Sequence, residues 1–310
     1  KYGNWFDSAR NRYVPVKIYY PHKTSSHCPI ILFSHGLGGS YERCKYLGTK
    51  WAASGFVSLH INHAGCDDSV WKNNIRPMKE LREIYPYFVS GRIHANDVRF
   101  VIDQLELLAK NDPVWEQMLD MSRIGAAGYD LGGLGTLLLA GQLPLDRGEY
   151  LYDSRVKAII VMSPPVNSSP YAASAIYETV QTPVLFFTGT EDNGIIGTTK
   201  APQRRIPFDH LINADRFLVT YNGADHLVYG GHILPINNRN EKLLQNNIAE
   251  VSLIFWKAYL AGDPKMYQYL RKNAIGNLIG HAGTIERKLV PVLVPMTSAE
   301  MDKNSSAAIE

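Results

Sequence analysis

The sequence has few cysteines, no long apolar run and no marked excess of charge of either sign. Three cysteines in 310 residues, Cys28, Cys44 and Cys66, are too few and too scattered for a disulfide scaffold or a zinc site. A disulfide between Cys44 and Cys66 stays an open alternative, although the sequence favours thiols. No segment approaches the roughly 18 uninterrupted apolar residues of a membrane span, so we expect no integral membrane association.

The charges nearly cancel, with 32 Lys and Arg against 29 Asp and Glu and a formal net charge of +3. This balance argues against a nucleic-acid partner. The hydrophobic share of 45% and the charged share of 20% are typical of a globular protein. The chain begins at Lys1 without a basic-then-apolar leader, so we expect a soluble, mature or trimmed product. Its compartment, its export with a removed signal peptide and its oligomeric state stay open.

Short apolar segments with strand character alternate along the chain with segments of helical period. This alternation predicts an α/β fold: a single doubly wound, mostly parallel sheet with helices on both faces. The predicted strands are Val14–Tyr20, Pro29–Phe33, Phe56–Ile61, Arg123–Gly128, Val156–Met162, Val184–Thr188 and Arg216–Thr220. The predicted helices are Tyr46–Ser54, Arg92–Lys110, Leu131–Ala140 and Glu241–Ala261, with Asp263-Pro264 starting one more.

The length exceeds that of a typical single α/β domain by about 60 residues. The segment His63–Tyr87 has no clean period and predicts a long loop with at most one helical turn. We expect one α/β domain over residues 1–280, with modest lid segments near 63–87 and 193–214. Residues 281–310 would form a C-terminal extension, and its polar end from Thr297 would fray.

The segment Gly125 to Gly133 carries the most chemical information. A buried strand runs through Gly128 into a tight turn and then directly into a helix at Leu131, which is the setting of a nucleophile elbow. Gly128 and Gly132 let the turn close while the central side chain stands at the carboxyl edge of the sheet. That central residue is Asp130, not serine.

These features resemble the α/β-hydrolases, with Ile31–Gly39, His63–Trp71 and Gly189–His210 similar to the dienelactone hydrolase and platelet-activating-factor acetylhydrolase branch. The resemblance implies an oxyanion hole made by the backbone N–H groups of Leu37 and Leu131. An aspartate at the elbow is instead similar to the pattern of haloalkane dehalogenases, fluoroacetate dehalogenases and soluble epoxide hydrolases.

The fold places its catalytic residues in the order nucleophile, acid, histidine. Asp192 follows the predicted strand Val184–Thr188 and is the candidate acid, with Glu191 as the alternative. His226 follows the strand Arg216–Thr220 and is the candidate histidine. Asp225 is disfavoured because it adjoins His226 in sequence.

An elbow aspartate at a helix start carries its own negative charge and needs no base to activate it. Our leading hypothesis is therefore a hydrolase without cofactor, in which Asp130 forms an alkyl-enzyme ester with a small uncharged electrophile, such as a haloalkane or an epoxide. His226, oriented by Asp192, would activate the water that hydrolyses the ester. Two alternatives stay open: an esterase or lipase-like serine hydrolase with its nucleophile replaced at 130, and a non-catalytic ligand-binding homologue.

Aromatic residues near the expected lid predict a mostly apolar pocket for a small-molecule substrate. The candidates are Trp71, Tyr129 and Tyr229, together with Tyr85 and Tyr87.

One further cluster contains residue types that bind metals, namely His60 and His63 with Asp67 and Asp68. The spacing of three along a strand directs the two histidines to opposite faces, so we predict no metal.

Overall fold

A computed structural model describes residues 1–22, 27–144, 148–166, 170–230, 239–272 and 274–291. The strands that these residues form make one mixed, mostly parallel sheet in the order β1-β2-β4-β3-β5-β6-β7-β8-β9. Neighbours from β4 to β8 run parallel, while β1, β2 and β9 pair antiparallel at the two edges. The strands are β1 Tyr2–Asp7, β2 Arg12–Tyr19, β3 Cys28–Ser34, β4 Val57–Ile61, β5 Leu119–Tyr129, β6 Val156–Met162, β7 Val184–Glu191, β8 Arg216–Asp225 and β9 Gly283–Lys288.

Helices cover both faces of the sheet, which is the α/β-hydrolase type of architecture that the sequence predicts. They are α1 Lys45–Ala53, α2 Ser69–Lys72, α3 Pro77–Phe88, α4 Arg92–Asn111, α5 Pro113–Met118, α6 Leu131–Leu139, α7 Pro170–Tyr177, α8 Ile206–His210, α9 Leu227–Gly230, α10 Arg239–Tyr259, α11 Pro264–Arg271 and α12 Gly276–Ile279. Short 3₁₀ turns cover Ala201–Arg205 and Gly280–Ala282. None of the helices in these described ranges is both long and apolar enough to cross a membrane.

The core consists of two apolar layers, one on each face of the sheet. β3 is buried along its whole length, and its successive side chains enter opposite layers. Ile30 and Leu32 pack in the layer beneath α4, whereas Ile31 and Phe33 pack in the layer beneath α1 and α10. A strand covered on both faces reads as a continuous apolar run, which is why these strands were recognisable in the sequence.

All seven predicted strands and all five predicted helices are present, with boundaries that differ by a few residues. The prediction of a long loop with at most one helical turn over His63–Tyr87 was wrong, because the short helix α2 is followed by the 12-residue helix α3, which begins at Pro77. Pro77 is compatible with a helix there because it stands at the first helical turn, where its missing N–H costs no hydrogen bond. The helical period of α3 is hard to recognise in the sequence for two reasons. Pro86 lies in its last turns, and its buried residues are just Leu81 and Phe88.

The two edge strands β1 and β9 were not predicted. β1 has no buried apolar residue, and its one buried side chain is the polar Asp7. β9 has a polar face of Thr284, Glu286 and Lys288. β9 pairs with β8 from Arg216 to Tyr221, so the segment that we expected to be a C-terminal extension contributes a strand to the sheet. The expected fraying from Thr297 lies outside the described residues.

The three cysteines are buried thiols and not disulfides, so Cys44 and Cys66 are not bridged. Burial raises the pKa of the Cys44 thiol to about 12 and raises the pKa of the Cys66 thiol further. These thiols therefore behave as apolar core groups at neutral pH.

The turn between β5 and α6 requires glycine at Gly132. A Cβ atom there would lie 2.2 Å from the carbonyl oxygen of Ser34, which belongs to the end of β3 and cannot move independently. We expect Gly132→Ala to lower the free energy of unfolding by about 3 kcal/mol or more. Gly133→Ala is the matched control on the same helix, because its Cβ would lie 3.2 Å from its nearest neighbour, the Gly128 carbonyl oxygen. Urea unfolding of both variants measures the difference, and equal losses would contradict the packing argument.

Candidate active site

The elbow holds Asp130 in a backbone conformation that non-glycine residues seldom adopt. Its φ is 52° and its ψ is −121°, between the end of β5 and the start of α6. The Asp130 N–H donates to the Met162 carbonyl oxygen at 2.9 Å, and its own carbonyl accepts from the Leu134 N–H at 3.1 Å. These bonds fix the turn to β6 and to the first turn of α6, so the side chain stands at the carboxyl edge of the sheet.

The two carboxylate oxygens of Asp130 have different neighbours. Oδ2 accepts a hydrogen bond from the Leu37 N–H at 3.1 Å, and Oδ1 lies 3.7 Å from Nε2 of His226. The second amide suggested by the resemblance, that of Leu131, belongs to the first residue of α6. Gly36 must lack a side chain, because a Cβ atom there would lie 2.6 Å from the Asp130 Cβ.

His226 and Asp192 form a buried pair at the ends of β8 and β7. Nδ1 of His226 lies 2.8 Å from Oδ1 of Asp192, a carboxylate with no solvent exposure. Asp192 Oδ2 accepts from the hydroxyls of Ser163 and Thr188, the latter at 2.8 Å. The structure therefore brings together Asp130, Asp192 and His226, the three residues predicted as catalytic.

The alternative acids lie elsewhere. Glu191 is exposed at the end of β7. Asp225 is exposed, and its side chain accepts hydrogen bonds from the N–H groups of Leu227 and Val228 at the start of α9. Neither carboxylate therefore forms a hydrogen bond with the His226 ring.

His35 orients the peptide group that faces Asp130. Its Nε2 lies 3.0 Å from the backbone N–H of His63, so that nitrogen accepts and the ring proton is on Nδ1. The Nδ1–H donates to the carbonyl oxygen of Gly36 at 2.7 Å. This carbonyl and the Leu37 N–H belong to one peptide plane, so fixing the carbonyl aims the N–H at Asp130.

A buried hydrogen-bond network connects His35, through His63, to Asp97. His63 Nδ1 lies 2.9 Å from Asp97 Oδ2, and Asp97 also accepts from Arg10 at 2.7 Å and Arg12 at 3.1 Å. The His94 ring packs on His63 with centroids 4.2 Å apart. Burial raises the pKa of the Asp97 carboxyl, and the two arginines oppose that effect.

The histidines considered as metal ligands lie in different surroundings. The His60 ring packs against Tyr19 and Phe33, whereas His63 contacts Asp97. Asp67 accepts from Asn62 and caps the start of α2 through Ser69, and Asp68 pairs with Lys72. In the part of the chain that the structure describes, no three metal-binding side chains are arranged to hold an ion.

A mostly apolar cleft, open to solvent, lies over Asp130 and His226. α3 and the segment after Asp192 supply half of its lining residues, and these are the two segments expected to form a lid. The lining residues include Leu37, Met78, Leu81, Tyr85, Ile195 and Ile196.

The predicted pocket residues are distributed unequally around this cleft. Tyr129 lines it, and its hydroxyl donates to the His226 carbonyl oxygen at 2.9 Å. Trp71 lines an adjoining cleft, where its Nε1–H donates to the Gly38 carbonyl oxygen at 2.7 Å. Tyr229 is fully buried behind Tyr129 and does not line either of these clefts. Tyr87 is 76% exposed.

Arg204 is a site residue that the sequence did not reveal. It lies in the 3₁₀ turn Ala201–Arg205, is 2% exposed, and directs its guanidinium toward Asp192 and His226. Its sequence neighbour Arg205 is exposed and binds Asp209 instead. Nothing in the sequence pattern separates a buried arginine from an exposed one at adjacent positions of an irregular turn.

The parallel sheet, the elbow after β5 and the chain order of the three assembled residues define an α/β-hydrolase fold. A family model described as platelet-activating factor acetylhydrolase, isoform II matches residues 7–84. That range includes the loop with Leu37 and ends before Asp130, Asp192 and His226. No curated protein matches the chain significantly. The fold and the family match together indicate a hydrolase.

Acid should destabilise the protein through its buried histidines. Burial lowers the pKa of His35, His63 and His94, and that of His60 to about 3. In the unfolded chain the histidines have a pKa of about 6.5, which is higher than in the folded protein. Unfolding therefore takes up protons below that pH. The contribution of the neutral, buried histidines to the free energy of unfolding is complete above pH ~6.5. It falls as the pH decreases, by up to roughly 1.4 kcal/mol per histidine per pH unit.

Urea unfolding between pH 7.5 and 5 measures this slope. His60→Phe keeps an aromatic ring against Tyr19 and Phe33, and we expect it to reduce the proton uptake on unfolding by about one. Replacing the exposed His281 by Gln is the matched control, and the slope should not change. An unchanged slope in His60→Phe would contradict the prediction.

Proposed function

We propose that the protein is a hydrolase in which Asp130 attacks an uncharged electrophile, an epoxide or a haloalkane, and forms a covalent ester. One observation carries the proposal: Oδ2 of Asp130 is bound by the Leu37 amide, while Oδ1 lies on the side of His226. One oxygen is thereby fixed in the place suited to an oxyanion, and the other remains available as the nucleophile.

In the first step, a lone pair of Asp130 Oδ1 attacks the electrophilic carbon. The carbon–halogen bond breaks and halide leaves with its electron pair, or the epoxide carbon–oxygen bond opens and the alkoxide takes a proton from solvent water. The product is an alkyl ester of Asp130. The aspartate needs no general base for this step because it is already a carboxylate.

In the second step, His226 Nε2 removes a proton from water, and the water oxygen attacks Cγ of the ester. The tetrahedral oxyanion forms on Oδ2, where the amides of Leu37 and Leu131 stabilise it. Its collapse releases the alcohol, which takes the proton from His226. The carboxylic acid that remains loses its proton to solvent, and Asp130 is regenerated as a carboxylate that contains the oxygen of the water molecule.

The apolar cleft supports an uncharged substrate. Among the described residues, its charged or titratable lining groups are Asp130, His226, Tyr85 and Tyr129, and the other lining side chains are aliphatic. Burial and the Asp130 charge raise the pKa of Tyr85, so its hydroxyl keeps its proton at neutral pH. An anionic substrate would therefore meet a carboxylate and no lining cation.

The family match favours a second candidate, an esterase in which aspartate stands in place of the serine nucleophile. The matched model is named for an acetylhydrolase, which hydrolyses an ester. Aspartate would serve poorly in that reaction, because the tetrahedral adduct would expel the weakly basic carboxylate in preference to the alkoxide. Serine at 130 would receive its activation from His226.

Isotope labelling tests the first proposal. In a single turnover of styrene oxide or hexyl bromide in heavy-oxygen water, the label should enter the Asp130 carboxylate, as read by mass spectrometry of its peptide. Asp130→Asn, the matched control, should lose turnover by roughly three orders of magnitude or more and take up no label. Turnover with label confined to the alcohol product would contradict the covalent route.

The second candidate predicts a gain of function in Asp130→Ser. A burst of nitrophenol from p-nitrophenyl acetate, absent in the unchanged protein and in Asp130→Ala, would support a serine esterase ancestry of the site. If Asp130→Ser gives the same background rate as Asp130→Ala, the esterase reading fails.

A further inference from the structure

His226 lies between two carboxylates, an arrangement that a serine nucleophile would not create. Nδ1 is 2.8 Å from Asp192 Oδ1, and Nε2 is 3.7 Å from Asp130 Oδ1. Two anions at these distances favour a positively charged imidazole ring. A ring that already carries both protons cannot accept another from water, so this site needs a group that opposes its protonation.

Arg204 supplies a fixed positive charge behind the ring. Its Nη2 lies 3.2 Å from His226 Nδ1, and its Nε lies 3.4 Å from Asp192 Oδ1 and donates to the Asp192 carbonyl at 3.2 Å. Nη1 donates to the carbonyl oxygens of Ser163 at 2.9 Å and Pro164 at 2.6 Å. The guanidinium is therefore held by the chain segments that follow β6 and β7.

We propose that Arg204 is a positioning residue whose permanent charge balances Asp192 and keeps His226 neutral, with its ring proton on Nδ1, in the resting protein. The inference rests on the proposed function in one respect, namely that His226 acts as the base beside a charged nucleophile.

The geometry at Nδ1 decides the tautomer. Asp192 can only accept a proton from this nitrogen, whereas Arg204 can only donate to it. The contact with Asp192 is shorter, 2.8 Å against 3.2 Å, and joins a donor to a carboxylate. The proton therefore belongs on Nδ1, and Nε2 keeps a free lone pair toward Asp130 and the cleft.

The charge of Arg204 then acts on the ring itself. With His226 neutral, Asp130, Asp192 and Arg204 sum to one negative charge, and a second ring proton would place a cation 3.2 Å from the guanidinium. Burial raises the pKa of the surrounding tyrosine hydroxyls, so they are uncharged. Within the described ranges, the ionisable groups on the elements around the ring are Asp130, Asp192, Arg204, Tyr85, Tyr129 and Tyr229. Asp225 is exposed and caps α9.

Nuclear magnetic resonance of the intact protein with ¹⁵N-labelled histidine tests the proposal without requiring turnover. The His226 ring signals are assigned by their loss in His226→Gln. At pH 7 we expect a neutral ring with a proton on Nδ1. A doubly protonated ring, or a proton on Nε2, would overturn the proposal even if no Arg204 variant folds.

Two substitutions separate charge from packing. Arg204→Gln removes the charge and keeps donors, and we expect its His226 ring to take up a proton at a pH higher by about one unit or more than in the unchanged protein. Arg204→Lys keeps the charge, and its ring should titrate within a few tenths of a unit of the unchanged protein. Arg205→Gln, the matched control, removes an exposed charge from the same turn and should have no effect.

A purely structural role predicts a different result. In that case Arg204→Lys, which loses the bonds to Ser163 and Pro164, would shift the titration as much as Arg204→Gln, or neither would shift it. Either result overturns the proposal. Failure of the labelling experiment with a normal Arg204 result would instead reject the covalent ester and leave the charge balance at His226 established.

Discussion

The close packing of the β5–α6 turn against the end of β3 is the constraint on which the rest of the site depends. The backbone of Gly132 passes so near the Ser34 carbonyl that no side chain fits, and in the same turn hydrogen bonds to Met162 and Leu134 hold Asp130 at a φ of 52°. The strained turn places the carboxylate beside the loop that follows β3, where the Leu37 N–H meets Oδ2. His35 fixes that loop from the other side, so the proposed nucleophile and its amide are both set by the fold before any substrate binds.

Electrostatics is the second consequence of an aspartate at this position. A carboxylate supplies its own charge and removes the need for activation, but it also adds an anion beside His226. The buried Arg204 brings the compensating cation to Asp192, on the opposite side of the ring. The apolar wall of the cleft strengthens each of these interactions, because charges separated from water are screened less. An uncharged electrophile is the substrate type that such a site accepts with least opposition.

The fold was largely predictable because a parallel sheet leaves an apolar run at every central strand, as at β3 and β6. The elbow glycines and the chain order also led to Asp130, Asp192 and His226, since each follows a strand that the sequence reveals. The edge strand β9 escaped prediction because its exposed face is polar. The burial of Arg204 was not predicted, because it depends on contacts from three separate chain segments. A local sequence pattern does not indicate such contacts.

Trapping the intermediate tests the central claim most directly. In His226→Gln the first step should proceed and the hydrolytic step should stop, because the ring that activates water is absent while the Asp130 carboxylate remains. After exposure to styrene oxide, the account predicts one stoichiometric adduct, located on the Asp130 peptide by mass spectrometry and absent from the His226→Gln, Asp130→Asn double variant. An unmodified Asp130, or an adduct of equal yield when residue 130 is asparagine, would contradict it.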